Sequence, residues 1–523
     1  SVLSQKITVL DNLTLEPVTS VNISASPNMN IITNAKGVAD ISAFKKNDTL
    51  RFSHSSYNSY AAVKSSIKDS SVIFLMSKLV LLNEFVISAN KTREKKEDIP
   101  YSIEIIDAKK IEFENPQTSA DMLMNTGNIF VQKSQMGGGS PVLRGFEANK
   151  VLIVVDGVRM NNAIYRSGHL QDVIAIDNAV LERTEVIFGP SSVIYGSDAL
   201  GGVMHFYTKK PALSDSTDNG YRLNLSGRYS TANQETNNHI DFNIGRKKVA
   251  FLTSITFAEF GDLRAGNLRN PFIDSLWKCE YYADRINEAD TMMKNTDVNI
   301  QKFTGYRQSD FMEKVYIQYN DKVTQTLNFQ YSTTSNVPRY DRLQTFKSNG
   351  DLKFAEWYYG PQKRMLASVK TSIYSGNKFF DESDIIVAYQ NIDQERVSRN
   401  FKNDNRLNQK ENVKVFSFNT DFEKQVKDKH EIRYGMEAIY NDVTSIASTT
   451  NIVTLKEAPA STRYPDGGST MTTGAAYLTH SFEVNRKFII TEGVRYSYID
   501  LKSRFNDTQF FPFPFSTIKQ QNN

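Results

Sequence analysis

A single cysteine, Cys279, among 523 residues rules out an intramolecular disulfide framework. The formal charge is only +4, from 62 basic against 58 acidic side chains, too even a balance for a nucleic-acid binder. No apolar run reaches the roughly 18 residues a spanning helix needs, so nothing here crosses a bilayer as a helix. Phosphate-cradling G-x-x-x-x-G-K-[ST], H-E-x-x-H and Cys-x-x-Cys patterns are all missing, which leaves hydrolytic and redox chemistry without a recognisable site. The residues after Ser1 show no basic-then-apolar leader and no amino-terminal cysteine for a lipid anchor, so any signal peptide is expected to have been removed. What is abundant is aromatic: 25 tyrosines and 32 phenylalanines, spread through segments that alternate apolar and polar. A transmembrane barrel hides its apolar residues at every second position, and this is the composition it shows.

The chain is organised around residues 127–211. Val151 to Val155 is an unbroken apolar run that suits a strand buried on both faces, and Asp156-Gly157 turns it. A second strand runs from Leu181 to Phe188 and stops at Gly189-Pro190; a third, Val203 to Thr208, follows a short helical piece and Gly201-Gly202. The pattern predicts a small mixed α/β unit with glycine-rich connections.

Arg144-Gly145-Phe146, the block IVVDGVRMNN from Ile153 to Asn162, LERTEV from Leu181 to Val186, and Gly189-Pro190 leading to Tyr195-Gly196 and Ala199 to Val203 occur in order. Together they resemble the plug domain of TonB-dependent outer-membrane transporters. One departure is Phe188, where many members carry Arg. The resemblance implies a plug seated in a charged lumen, held by surface charges: Arg144, Glu182, Arg183 and Glu185 are the expected locks. Ordinary solvated strand charge is the alternative.

Residues 1–80 read as short strands with turns between them: Lys6 to Leu10, Val18 to Ser24, Gly37 to Ala43, Thr49 to Ser53 and Ser71 to Met76, with a hairpin tip at Asn34 to Gly37. The expectation is a β-sandwich, similar to the carboxypeptidase-regulatory-like domain that precedes the plug in Bacteroidetes-type transporters. A periplasmic spacer fits better than an enzyme, because His54 is the only histidine there. Residues 81–99 carry LNEFVISA and a charged linker. By the same resemblance Glu84, Phe85, Val86 and Ile87 belong to the energy-coupling segment (TonB box), which would pair as an added strand with TonB of the inner membrane. The closing strand of the sandwich is the competing assignment. Thr118 or Ser119 caps a helix through Met124 that ends at Gly127, and the QMGGGS stretch from Gln135 to Ser140 reads as a mobile loop.

Beyond the plug (residues 100–215), residues 216–523 turn to period two. Ile240, Phe242 and Ile244 alternate with Asp241, Asn243 and Gly245; Leu327, Phe329 and Tyr331 with Asn328, Gln330 and Ser332; Phe416 and Phe418 with Ser417 and Asn419. One face would meet lipid and the other a polar lumen. Arg246 to Lys248, Asn320 to Lys322 and Lys427 to Lys429 read as periplasmic turns, and residues 261–310 and 336–363 as extracellular loops. Eleven strand-like segments precede Asp500, against about 22 in a plugged transporter. The fold class is therefore mainly β: an N-terminal β-sandwich, a mixed α/β plug and the first half of a large antiparallel barrel, as expected of a fragment.

Ligand chemistry should sit at the plug apex, where Arg159, Asn161, Asn162, Tyr165, Arg166 and His169 cluster after the Asp-Gly turn. In the haem and haemoprotein receptors that the plug resembles, a Gly-His-Leu here supplies an axial iron ligand, and Gly168-His169-Leu170 matches it. A lone histidine in a polar loop is otherwise a solvated side chain. His54, His205, His239, His430 and His480 read as scattered structural residues. Trp277, Tyr281, Tyr282, Tyr340, Trp357, Tyr358 and Tyr359 would either stack on cargo or belong to membrane-boundary belts.

The resemblance implies TonB-dependent uptake of a bulky nutrient, haem iron first, with cobalamin or a ferric siderophore as the rival. No cofactor is held tightly; haem would be cargo. Partners would be TonB, membrane lipid and lipopolysaccharide, and a surface lipoprotein or host haemoprotein, with no nucleic acid. The location would be the outer membrane of a Gram-negative bacterium, with the N-terminal domain periplasmic. A barrel with a static plug and an enzyme built on the amino-terminal domain are the readings from other classes.

Overall fold

The computed structural model describes residues 5–12, 17–26, 29–54, 56–76, 85–88, 91, 94–96, 99–164, 173–214, 220–273, 276–427, 429–485 and 488–522. The chain divides into two compact units, residues 1–84 and 85–523.

In the first unit a three-stranded sheet (Val38–Asp40, Lys6–Asp11, Ser71–Leu75) and a four-stranded sheet (Met29–Ile32, Asn22–Ser26, Thr49–His54, Tyr57–Val63) share one core containing Ile7, Val9, Ile23, Leu50 and Phe52. At the hairpin tip the Asn34 side-chain oxygen accepts from the N–H groups of Lys36 and Val38 at 2.9 and 3.0 Å, and Gly37 takes φ +69°. Met29–Ile32 and Tyr57–Val63 are strands that the sequence pattern misses. Both are outer strands with mostly wet side chains, so no alternation marks them.

The second unit holds a small inner domain. Its sheet contains β1 (Ser102–Asp107), β2 (Val151–Val155), β3 (Val158–Arg159), β4 (Leu181–Phe188) and β5 (Gly202–Thr208), in the order β1-β4-β5-β2-β3. Only β2 and β5 run parallel. Every residue of β2 is buried, as its unbroken apolar run requires. The Asp-Gly pair does more than end β2: Asp156 at φ 49° and Gly157 at φ 87° form a tight hairpin that adds β3. Helix α1 (Ala108–Glu114), capped by Asp107, has no counterpart in the sequence reading. Helix α2 (Ser119–Asn125) is capped by Thr118, whose hydroxyl accepts the Asp121 N–H at 3.3 Å, and Gly127 follows at φ +73°.

The remainder is a large antiparallel sheet whose principal strands are sequence neighbours: β6 (Gly220–Ser230), β7 (Glu235–Gly245), β8 (Val249–Phe260), β9 (Tyr306–Gln318), β10 (Val323–Thr334), β11 (Lys363–Tyr374), β12 (Glu382–Asn400), β13 (Asn405–Val426), β14 (His430–Asn451), β15 (Ser469–Asn485), β16 (Phe488–Arg504) and β17 (Thr517–Asn522). Among the described residues β6 and β17 are its edges. The twelfth strand, TIKQQN, is polar except for Ile518 and escapes any hydrophobic pattern. Short links such as 246–248 and 319–322 gather at one end and long loops at the other; the first long loop ends at Tyr306, so Asp310 is already strand.

The alternation is inside out relative to a soluble protein. On β7, His239, Asp241 and Asn243 are buried while Ile240 is exposed; on β13, Ser417 and Asn419 are buried while Phe416 and Phe418 are exposed. Polar side chains face the inner domain and apolar ones face away, the arrangement of a sheet solvated by lipid. The inner domain touches strands from β6 (Arg228 to the Pro116 carbonyl, 2.8 Å) to β16 (Arg495 to the Ile194 carbonyl, 2.9 Å), so the sheet wraps it. One expectation is overturned here: residues 134–140 are buried rather than a free loop, wedged against Tyr306 and Val337.

Candidate functional site

The Asp-Gly hairpin aims Arg159 at the wall. Its guanidinium lies 3.1 Å from Asp198 Oδ2 and 3.2 Å from Glu437 Oε2 on β14, and Arg495 of β16 reaches the other Glu437 oxygen at 3.1 Å. Glu437 is thus shared by a cation from the inner domain and one from the wall, both largely desolvated. Such a pair is costly to break from one side. Asp156, at the tip of the same hairpin, meets the buried Lys314 of β9 at 3.0 Å and also accepts from the Thr208 N–H at 2.9 Å. Burial would raise its carboxyl, but Lys314 and Thr208 outweigh burial and hold it below the ordinary carboxylate value. His205 closes the hairpin from within: its Nε2 accepts the Gly157 N–H at 3.0 Å and its ring stacks on Tyr207 at 4.0 Å. Burial pushes His205 down to about 3, so it stays neutral.

Asn161 is buried and spent on the domain's own backbone, accepting from Ile153 N–H and donating to the Val151 carbonyl, each at 3.1 Å. Asn162 borders a narrow cavity of about 40 Å³ between Met160 and Ile174 on one side and Ser332, Gln362 and Arg364 on the other. Of the expected apex cluster, Arg159 is a wall anchor, Asn161 a turn residue and Asn162 a cavity residue. Tyr165, Arg166 and His169 lie outside the described residues.

Among the described residues none of the four expected locking charges is paired with a wall strand. Arg144 is exposed, with its guanidinium over the Phe188 ring at 5.6 Å, and Glu182 is exposed too. Arg183 and Glu185 pair with each other at 2.8 Å instead of with the wall. Glu185 is fully buried, and one of its oxygens accepts the N–H groups of Ile87 (2.9 Å) and Ser88 (2.8 Å). The Ser88 carbonyl accepts from the Tyr195 hydroxyl at 2.7 Å, Val86 is buried beside Leu152 and Tyr477, and Lys91 bonds Asp421 of β13 at 2.8 Å. Phe85–Val86 forms a two-residue strand against Glu94–Lys95, while Glu84 lies outside the described residues. The extended segment is therefore docked at the short-turn end by a carboxylate, a phenol and an ion pair. For Glu437, Arg495 and Asp421 the only trace in the sequence is a charge at an inward-facing position of an alternating strand, whereas Asp198 lies in a short 3-10 turn and Lys91 in the charged linker.

The long loops supply a second cavity of about 270 Å³, ringed by Tyr282, Phe303, Phe354, Trp357 and Tyr358. Tyr340 donates to the Lys133 carbonyl of the inner domain at 3.0 Å, and the buried Trp357 and Tyr359 pack edge to face at 4.9 Å. Tyr340, Trp357 and Tyr359 are buried, so they form no lipid-facing belt, whereas Trp277 is half exposed and 5.5 Å from Tyr340.

Residues 95–203 match the TonB-dependent Receptor Plug Domain family, and residues 371–521 match the outer membrane protein beta-barrel family. The chain belongs to the TonB-dependent receptors. The receptor is 30% identical to a hemin receptor of Yersinia enterocolitica over 197 residues, 37% of this chain and 27% of that one. It is 28% identical to a vitamin B12 transporter of Vibrio vulnificus over 313 residues, 59% of this chain and 42% of that one. The chain thus spans less than half the length of these curated relatives. In fold it is similar to the copper transporter OprC (TM-score 0.59, 13% identity, 80% of this chain and 59% of that one). It is also similar to the ferripyoverdine receptor of Pseudomonas aeruginosa (TM-score 0.56, 13% identity, 86% and 58%). The receptor resides in the Gram-negative outer membrane with its plug on the periplasmic side, and the relatives it matches are receptors and transporters.

Proposed function

We propose that this receptor takes up a scarce, bulky nutrient across the outer membrane by TonB-dependent transport, with haem or haemoprotein iron as its cargo. The observation that carries the reading is the docked segment at Val86 to Ser88. An extended strand with pairing-competent backbone, tethered at the periplasmic end of the plug, suits strand addition by TonB. An aromatic-ringed cavity of about 270 Å³ lies at the long-loop end, where cargo would arrive. Energy then comes from the inner-membrane partner, not from this chain. Residues 1–80 serve as a carboxypeptidase-regulatory-like periplasmic spacer, 81–99 as coupling segment and linker, 100–215 as plug, and 216–523 as the first part of the barrel.

Haem is favoured by Gly168-His169-Leu170 and by the hemin-receptor relatives. Cobalamin is the second reading, favoured by the longer alignment to a vitamin B12 transporter; a ferric siderophore is the third. Haem is written as cargo, with no tightly held cofactor. Lipopolysaccharide, membrane lipid and a surface lipoprotein or host haemoprotein complete the proposed partners. Titrating the full-length receptor with haem should give a Soret shift that His169→Ala abolishes, and an unshifted wild-type spectrum moves cobalamin and siderophores ahead. Deleting residues 82–89 should stop uptake while leaving cargo binding intact. Uptake that survives the deletion identifies a static plug and ends the coupled reading.

A further inference from the structure

Two of the histidines that the sequence scatters are brought together by the fold. His430 opens β14 opposite Phe482 of β15; His480 lies two residues back along β15, and Glu492 of β16 is directly opposite it. Their side chains share the outward face with Leu478 and Val494, which are 46% and 64% exposed, close to the 427–429 turn. His430 Nδ1 and His480 Nε2 are 3.0 Å apart, and His480 Nδ1 is 3.2 Å from Glu492 Oε1. The two imidazole planes differ by 6° with centroids 5.3 Å apart, and the His430 ring lies flat on Phe482 at 4.5 Å and 11°.

These contacts determine where the protons sit. A carboxylate only accepts, so Glu492 fixes the hydrogen of His480 on Nδ1 and leaves a lone pair on Nε2. That lone pair points at His430 Nδ1, whose ring is held by the stack on Phe482. Two imidazole nitrogens therefore meet at one point, one oriented by a carboxylate and the other by an aromatic face. The His480 side chain is 32% exposed, so the point is reachable.

We infer that His430 and His480 form a cross-strand binding site for a late first-row divalent cation of the Zn²⁺ or Cu²⁺ type, with Glu492 as its orienting carboxylate. Imidazole nitrogen is a preferred donor for these ions, and a carboxylate on the far nitrogen of a ligating histidine is their usual second support. A tetrahedral ion at ~2.05 Å from each nitrogen separates the pair by ~3.3 Å, so the nitrogens must part by a few tenths of an ångström and each ring turn by about 35° to aim its lone pair at the ion. On binding, the His430 proton moves from Nδ1 to Nε2 and the metal takes the vacated lone pair; both imidazoles stay neutral and no proton is released. Among the described residues no group of three or more His, Cys, Asp or Glu side chains is placed to enclose a metal. The site is accordingly a two-nitrogen clip between β14 and β15, completed by water. It is independent of the proposed cargo.

Isothermal titration of the full-length receptor in detergent with Zn²⁺ tests it. One micromolar equivalent is expected, lost in His430→Phe and in His480→Phe, weakened ~10-fold in Glu492→Gln, and untouched in His169→Ala. Electron paramagnetic resonance of the Cu²⁺-loaded wild type needs no variant and should show coupling to two nitrogens. An isotherm unchanged by His430→Phe, or a wild-type copper spectrum without nitrogen coupling, overturns the site. An unweakened Glu492→Gln removes the role given to the carboxylate.

Discussion

Glu185 holds Ser88 by its backbone: the buried carboxylate accepts the Ser88 N–H at 2.8 Å and the Ile87 N–H at 2.9 Å, across 97 and 98 residues of chain. A charge-assisted pair of this kind is worth about 1.5–3 kcal/mol per bond. Glu185→Gln keeps the shape and one acceptor oxygen but removes the charge, so the segment should detach more easily. The expected result is faster hydrogen exchange at residues 85–88 and tighter binding of a soluble TonB fragment, by about 5- to 30-fold for 1–2 kcal/mol of released restraint. Unchanged exchange there would mean that Tyr195 and Lys91 alone retain the segment.

The pairing of Arg159 with Glu437 should be energetically coupled across the plug–wall boundary. Removing one partner of a buried ion pair costs about 3–5 kcal/mol, reduced here because Arg495 remains on Glu437. Arg159→Met, Glu437→Gln and the double variant form a thermodynamic cycle, read by thermal unfolding. A coupling energy of about 1–3 kcal/mol is expected, and additivity within ~0.5 kcal/mol would show the contact to be passive.

The parts of this receptor that the sequence exposed are those with local causes. Val151 to Val155, the Asp156-Gly157 turn and the alternating strands each announce themselves within a few residues, because burial on one or both faces fixes residue type at that spacing. The lock did not, since Arg159 and Glu437 are 278 residues apart, the first reading as a ligand residue of the apex and the second as an ordinary strand charge. The motif around Arg144 and Glu182 is likewise diagnostic of the domain, not of which side chain faces the wall. Helix α1 was hidden by AKKIEFE, in which only Ile111 is buried. His430 and His480 were likewise judged singly because register, not spacing, brings them together.

Acid should loosen the plug through His205. Its folded pKa, about 3, lies below the ordinary 6.5, so the unfolded chain takes up a proton that the folded one refuses. This contribution is fully present above pH 6.5 and is lost as pH falls from about 6.5 toward about 3, at ~1.4 kcal/mol per unit, or about 2 kcal/mol by pH 5. Asp156, held below its ordinary value, adds a further loss only below about pH 4. Hydrogen exchange of β2 and β5 amides at pH 5 and pH 7, corrected for intrinsic rates, measures it. His205→Gln, which keeps an acceptor for Gly157, should flatten the difference; an equally steep variant would place the acid sensitivity elsewhere.

Gly137 marks where the buried glycine loop meets the wall. A Cβ there would stand 2.8 Å from Val337 Cγ1 and 2.9 Å from Tyr306 Cε2, closer than real contacts allow. Neither neighbour can yield freely, since Val337 is fully buried and Tyr306 is stacked on Phe260 at 4.5 Å. Gly137→Ala should therefore overpack this contact and cost about 1–3 kcal/mol. Gly266→Ala is the matched control, because nothing lies within 4 Å of its added carbon. The expected outcome is a lower melting temperature and faster proteolysis within residues 134–140 for the first variant alone. If the two variants behave alike, the loop has room to retreat and the close fit at the wall does not set its position.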